Sequence, residues 1–359
     1  MTERTGRTMD YFDRCKEKLG DYIDNFLGSK EAEFSRVNTW GLDVLKKLQP
    51  FVNNGKMLRG GLVMLGFEMC GRRISRTALR AAAAVEFIQA ALLIHDDIID
   101  RDPLRRGTPS VHYQYTRKGK RSGLSEPEHY GEGMGICAGD IGFFLAFELL
   151  SGLKVKSDIR DSVTEMWSKE LCYVGLAQMQ DLHLGPSGTR ASAQGILDLY
   201  RYKTARYSFS LPLMTGWELG GGSPAICRGL EVFGEHMGLL FQLKDDELGL
   251  FGSPSELGKP VGSDIRENKK TLYRWHLFRE AGPREKARLG RIFGCAEVGQ
   301  KMVEEVRGMV DRHEIRDKVQ DQVRQIRQPA EKAIAGLKIQ ERHRRILSEL
   351  LEFNSRRTK

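Results

Sequence analysis

The chain has 359 residues, with 40% apolar and 29% charged side chains, enough apolar material for a sizeable core in one large domain or two. The net charge of +9 admits nucleic acid, a membrane surface or an anionic small substrate, but no basic stripe interleaved with aromatics is present, which sets nucleic acid aside. The six cysteines, at 15, 70, 137, 172, 227 and 295, lie far apart without a C-x-x-C pair, which speaks against disulfides or a zinc site and for reduced thiols in a cytoplasmic protein.

In chain order, the opening segment MTERTGRTMDYFDRCKEKLG has no apolar run of the kind a secretory signal needs. GKMLRGG, at 55–61, places Lys56 and Arg59 near an expected helix start, where backbone N–H groups also favour anions. SRTALRAAAAVEFIQAALLIHDDIID, at 75–100, reads as one long helix, apolar all round, of the kind that lies inside a bundle. The segments 114–133 and 252–271 read as polar, Gly-rich loops, and 114–130 as a tolerated surface insertion. IGFFLAFELL, at 141–150, is shorter than the ~20 residues of a membrane span and carries Glu148, so it is expected to be a core helix rather than a transmembrane segment. The runs 161–184 and 225–251 are further long helix candidates. Most of the 11 prolines fall at expected helix boundaries, and strand signals are weak. The expected fold is all-α, a single helical bundle around a central cavity. One domain over 1–359 is expected, with 1–30 and the charged 283–359 as peripheral helices.

The chemistry gathers at two acidic clusters. In LLIHDDIIDRDPLRRG, at 92–107, Asp96 and Asp100 are i and i+4 on one helix face, where like charges repel unless a cation is expected. About 145 residues later FQLKDDELG repeats the pattern with Asp245 and Asp246 at the end of another apolar helix. A single DD pair is most often a solvated face. Two such helix ends are expected to face each other across a bundle and hold a cation. Oxygen ligands select a hard ion, so Mg²⁺ is favoured over zinc, its shell completed by water and substrate phosphates. Arg105, Arg106, Lys56, Arg59, Lys203, Lys259 and Lys269 then become phosphate partners, although each alone would read as surface charge.

These residues resemble the trans-isoprenyl diphosphate synthases, the all-helical prenyltransferases, from about residue 50 to about 275. DDIID…RRG is similar to the family's first aspartate-rich motif, FQLKDDELG…GKPVGSDIRENKKT to the second, GKMLRG to its G-K-x-x-R signature and KTARYSF to its Lys-Thr motif. The resemblance implies a catalytic set of Asp96, Asp97, Asp100, Arg105, Lys203, Thr204, Gln242, Asp245, Asp246 and Lys259. Asp96, Asp100 and Asp245 would hold two or three Mg²⁺ ions on an allylic diphosphate, and Arg105, Lys203 and Lys259 would contact that diphosphate. Lys56, Arg59, Gln89 and Arg106 would bind isopentenyl diphosphate. Thr204 and Gln242, with the Lys203 carbonyl, would face a carbocation. Gln178 and Asp181 would line the site, and Lys269 would close near the phosphates. The partners implied are these small substrates and a second copy of the chain in a homodimer, with no nucleic acid.

Ionisation of the allylic C–O bond leaves a carbocation and pyrophosphate. The double bond of isopentenyl diphosphate attacks the cation, and proton loss, expected to go to the departing pyrophosphate, completes a five-carbon extension in a site that excludes water.

Three positions depart from the family pattern: Gly249 stands in place of the third aspartate of the second motif, and Met57 and Gly60 in place of the commoner Arg and Pro. Chain length in this family is set just before the first aspartates, here by Ala91, Leu92 and, ~5.4 Å deeper, Ile88. With no aromatic there, geranylgeranyl diphosphate is the expected product. Farnesyl diphosphate is the alternative, and longer products stay open because Phe87, Phe143, Phe144 or Phe147 could supply a floor elsewhere. A class I terpene cyclase would not need Lys56, Arg59 and Gln89. A non-catalytic partner subunit should have lost motif residues, and only Gly249 hints at that.

Overall fold

Apolar spacing builds the first helix. In α1 (Thr2–Val37) the buried residues Phe12, Cys15, Leu19, Ile23 and Leu27 recur every three or four positions, which gives one stripe to pack and leaves the opposite face polar. The computed structural model of the protein describes residues 2–185, 191–252 and 262–357, divided into two units: 1–164 with 212–222, and 165–211 with 223–359.

In the first unit α1 packs with α2 (Trp40–Asn53), α3 (Leu58–Met69) and α4 (Arg76–Ile99). Ser75 caps α4, its hydroxyl accepting from the Ala78 N–H at 3.4 Å. Residues 81–88 of α4 are all buried, as a helix apolar on every side requires. Four consecutive alanines at 81–84 leave room for neighbouring helices to approach. A two-residue hairpin follows, β1 (Leu104–Arg105) antiparallel to β2 (Thr108–Pro109). These are the only strands among the described residues, so the all-α class expected from the sequence holds.

The segment 114–130 is not an open loop. α5 (Val111–Arg121) and α6 (Pro127–Ser151) occupy most of it. Val111, Tyr115, Thr116 and Gly119 form a buried stripe that the lysines and glycines around them conceal in the sequence. Lys118 lies 4.1 Å over Trp40, so a cation that read as a loop residue lies over an aromatic face, and Lys47 of α2 lies 4.6 Å over the Tyr115 ring. α6 also extends well beyond 141–150. By length and composition α4 and α6 are each apolar enough to cross a membrane, but 67% of the α4 window is buried inside the protein, as in a core helix.

The second unit takes α7 (Ser157–Leu184) from residue 165 onward, then α8 (Ala193–Tyr200) and a ten-residue π-helix (Arg201–Ser210). α9 (Leu211–Leu219) belongs to the first unit from residue 212 onward, and the second unit resumes with the long α10 (Pro224–Phe251). The rest is α11 (Ser263–Arg266), α12 (Leu272–Glu280), α13 (Pro283–Ile292), α14 (Gln300–Arg312), α15 (Ile315–Gly336) and α16 (Glu341–Arg356). Leu239 and Leu243 of α10 share one core with Leu272, Leu277, Leu289, Val306, Val310 and Val319. The charged tail therefore contributes an apolar face to the helix that carries the second acidic cluster.

Candidate active site

In the first unit the end of α4 sets the geometry. The Asp100 N–H donates to the Asp96 carbonyl at 2.8 Å, so the two residues close the last helical turn and stand one above the other. Both are half-buried, while Asp97 between them is fully buried. The hairpin explains Asp97. Arg106 and Gly107 both have positive φ, 51° and 75°, which is the type I′ turn that joins antiparallel strands two residues apart. Glycine takes that conformation without strain, and Arg106 takes it at a cost of about 1 kcal/mol. The turn folds Arg105 back so that its Nε donates to Asp97 Oδ1 at 2.7 Å, with a second donation from its Nη2. Burial alone would lower the Arg105 guanidinium, but the Asp97 carboxylate outweighs it and leaves the group above its ordinary value.

Behind the 55–61 signature lies a residue that the sequence reading did not single out. Glu86 is buried on α4 and accepts the Gly60 N–H at 2.8 Å. Burial pushes its carboxyl up, against the pull of that amide and of Arg59 and Arg106. One carboxylate thus sits behind two of the cations expected to meet isopentenyl diphosphate. The departure at Gly60 becomes intelligible, because a proline there would have no N–H to give. A lone glutamate in the run AAAAVEFIQAALL was the available signal. Lys56 is exposed and Gln89 half-buried. Of the chain-length residues, Ile88 and Ala91 are buried, and a Cβ placed on Gly142 of α6 would be 3.2 Å from the Ala91 Cβ. Leu92 is the half-exposed one. Phe87 is fully buried with its ring against Phe26, centroids 5.7 Å apart, and Phe144 is 71% exposed.

In the second unit the π-helix lies against α10. Gly238 permits the approach, since a Cβ there would fall 2.3 Å from the Ala205 Cα. Arg206 secures the contact: its guanidinium reaches Glu170 of α7 at 2.6 and 2.9 Å, and Glu231 and Glu235 of α10 at 2.8 and 3.0 Å. Burial would lower Arg206, but Glu170 and Glu231 prevail and raise it. The π-helix therefore holds Lys203 and Thr204 in fixed positions. Lys203 is ion-paired with Asp181 of α7, which joins two of the expected site residues. Thr204 Oγ1 donates to Gln242 Oε1 at 3.2 Å, and Gln242 Nε2 donates to Asp246 Oδ1 at 3.0 Å. Asp246 Oδ2 receives the Tyr200 hydroxyl. Asp246 is pushed up to about 8, by burial first and then by the charge of Asp264, against the hydrogen bonds from Tyr200 and Gln242.

Asp245 is more open, and the Arg357 guanidinium from beyond α16 binds both its Oδ1 and the Phe241 carbonyl, the latter at 2.7 Å. Lys269 pairs with Glu267 at 2.8 Å and with Asp264 at 3.8 Å. A Cβ on Gly249 would meet Asp264 Oδ2 at 2.7 Å, so the Asp264 carboxylate already stands beside the position where the third aspartate is missing. Gln178 is half-buried on α7, and Lys259 lies outside the described residues. Tyr200, Asp264 and Arg357 escaped the sequence reading because their partners are 46, 15 and 112 positions away.

Among the described residues no three His, Cys, Asp or Glu side chains form a closed metal cage. Asp96 and Asp100, oxygen donors one turn apart at an open helix end, suit a hard divalent ion that draws the rest of its shell from water and phosphate.

The Polyprenyl synthetase family model matches residues 44–310. A short chain isoprenyl diphosphate synthase of Methanothermobacter thermautotrophicus is 33% identical over 72% of this chain and 73% of its own length. A geranylgeranyl diphosphate synthase of Sulfolobus acidocaldarius is 33% identical over 73% and 72%, and a farnesyl diphosphate synthase of Geobacillus stearothermophilus 30% identical over 65% and 73%. Among solved structures, geranylgeranyl pyrophosphate synthase of Corynebacterium glutamicum, complexed with isoprenyl diphosphate and magnesium, superposes with a TM-score of 0.90 at 29% identity, over 96% of this chain and 99% of its own. Four motifs in order, the helical scaffold beneath them and these matches agree: the chain belongs to the polyprenyl synthetase family and is an isoprenyl diphosphate synthase, a prenyltransferase.

Proposed function

We propose that this synthase joins isopentenyl diphosphate head to tail to allylic diphosphates and stops at the twenty-carbon geranylgeranyl diphosphate. The observation that carries the length is the make-up of α4 before Asp96: Leu92 is half-exposed, Ala91 and Ile88 are buried, and none of the three is aromatic. A leucine at this position would leave room for a growing chain where a phenylalanine would stop it.

The roles follow the chemistry of each side chain. Asp96, Asp100 and Asp245 would hold magnesium, which supplies Lewis acidity to the diphosphate leaving group. Arg105, with Lys203 and Lys259, stabilises the same leaving charge, and Asp97 keeps the Arg105 guanidinium oriented. Lys56, Arg59, Gln89 and Arg106 bind isopentenyl diphosphate, with Glu86 behind two of these cations. The Thr204 and Gln242 oxygens face the allylic cation. Gln178, Asp181 and Lys269 complete the polar lining. We further propose a cytoplasmic homodimer. Ile136 and Phe144 of α6, 47% and 71% exposed, offer apolar surface for a second copy.

The test incubates the purified protein with labelled isopentenyl diphosphate and each allylic primer, with Mg²⁺ or with EDTA, and chromatographs the dephosphorylated products. Geranylgeraniol, formed only with Mg²⁺, is the expected result. Farnesol or longer alcohols would overturn the length, and no elongation from any primer would overturn the whole reading. Leu92→Phe should shorten the product. Ala91→Phe should also cost about 1–3 kcal/mol of stability, because Ala91 has Gly142 against it.

A further inference from the structure

We propose that Tyr200 is a positioning residue for the reaction: through Asp246 it fixes which end of the Gln242 amide faces Thr204. The inference rests on the reading above, in which Thr204 and Gln242 turn their oxygens to the allylic cation. The observation is a continuous hydrogen-bonded line inside one unit. The Tyr200 hydroxyl engages Asp246 Oδ2, Asp246 Oδ1 accepts Gln242 Nε2 at 3.0 Å, and Gln242 Oε1 accepts Thr204 Oγ1 at 3.2 Å.

A primary amide has two faces of opposite polarity, and nothing in its shape chooses between them. Here the choice is made at the far end of the line. With Oδ2 engaged by the tyrosine, Oδ1 remains an acceptor whether or not the acid carries a proton on Oδ2. Only the NH2 of Gln242 can satisfy it, and the amide oxygen is then directed at Thr204. Turned over, the amide would present N–H dipoles to a developing positive charge instead of a lone pair. Such a fixed dipole is most effective in a site closed to water. Tyr200 closes α8, directly before the π-helix that carries Thr204, and both Tyr200 and Asp246 are buried. The line therefore also ties the entry of that helix to α10.

Tyr200→Phe removes one oxygen and keeps the ring. We expect kcat to fall about tenfold, the loss of roughly one hydrogen bond's orientation, with KM for isopentenyl diphosphate essentially unchanged. We also expect a rise in the ratio of prenyl alcohol to elongated product, because a poorly shielded cation is captured by water, releasing a proton. That ratio does not depend on how much of the variant is folded. Asp246→Asn, which can offer its own NH2 and let the Gln242 amide turn over, should move the ratio in the same direction. An unchanged ratio in both variants, even with reduced kcat, would overturn the proposal and leave Tyr200 a packing residue. Failure of the wild-type protein to elongate any primer would overturn the parent reading instead.

Discussion

The ends of α4 and α10 carry the same two-aspartate signature and use it in opposite ways. In α4 the first aspartate, Asp96, is half-exposed, and the second, Asp97, is sealed under Arg105 from the hairpin eight residues later. In α10 the first, Asp245, is met by Arg357 from 112 residues away, and the second, Asp246, is sealed under Tyr200. The outer carboxylate is therefore open to ligand in one case and already neutralised by the protein in the other. The buried carboxylates differ too. Asp97 holds a cation, whereas Asp246 holds a neutral hydrogen-bonded line and is pushed up to about 8, by burial first. The first motif is thus arranged to gather positive charge, and the second to keep oxygens oriented.

The largest effect should come from Asp96→Asn with Asp100→Asn. Removing both carboxylates from that helix end should lower turnover by about a thousandfold, the scale of losing a principal stabiliser of leaving charge. Asp245→Asn should cost less, because that carboxylate already has a protein cation beside it. Equal losses, measured as kcat/KM with saturating Mg²⁺, would mean that the asymmetry is structural only. Next comes Glu86→Ala, which strands the Gly60 N–H in a buried site and leaves Arg59 and Arg106 without their shared carboxylate. Denaturant unfolding should show about 3 kcal/mol lost, with a raised KM for isopentenyl diphosphate. Glu86→Gln keeps an acceptor for Gly60 and should recover most of the stability but not the KM.

A smaller effect should appear with pH. Asp246 has a folded value of about 8 against 3.8 in the unfolded chain, so the folded state binds the extra proton and stability falls as pH rises through that window. His343 acts with the opposite sign: burial, followed by the charge of Arg342, lowers it from 6.5 to about 4. Its contribution is therefore complete above 6.5 and is lost as pH falls. Below 6.5 the two oppose each other, and toward 8 the Asp246 slope is opposed by Lys270, which burial lowers from 10.5 to about 8, so that its contribution grows as pH rises. The metal-free protein should lose about 1 kcal/mol between 6.5 and 8. Asp246→Asn should flatten the curve, and an unaltered slope would place the proton elsewhere.

What the sequence disclosed follows from how local each signal is. Asp96 and Asp100 could be placed together because helical period fixes neighbours four apart, and the resemblance reached Lys203, Thr204 and Gln242 through motif order. The pairing of Asp97 with Arg105 depends on a type I′ turn whose first central residue is an arginine, which no turn preference would have suggested. The glycines and lysines of 114–130 mimic a loop, although two helices occupy most of it. The buried stripe from Val111 to Gly119 becomes visible only when α6 is there to cover it. Tyr200, Glu86 and Asp264 act through partners that only the folded chain supplies.

The finest test of the contrast between the two helix ends is Arg357→Gln. Arg357 is nearly buried and lies 3.9 Å over the Phe241 ring while it binds the more exposed Asp245. Its loss removes a cation–π contact and should cost about 1 kcal/mol of metal-free stability. The same change frees Asp245 from a competing cation, so Mg²⁺ titrated calorimetrically with inorganic pyrophosphate should bind about twofold to threefold tighter, the magnitude of one partly exposed ion pair. The two readouts should move in opposite directions. A variant that is less stable and binds Mg²⁺ no better would show that Arg357 serves the fold of α10 alone. The difference between the two acidic helix ends would then lie in their buried members, Asp97 and Asp246, and not in the open ones.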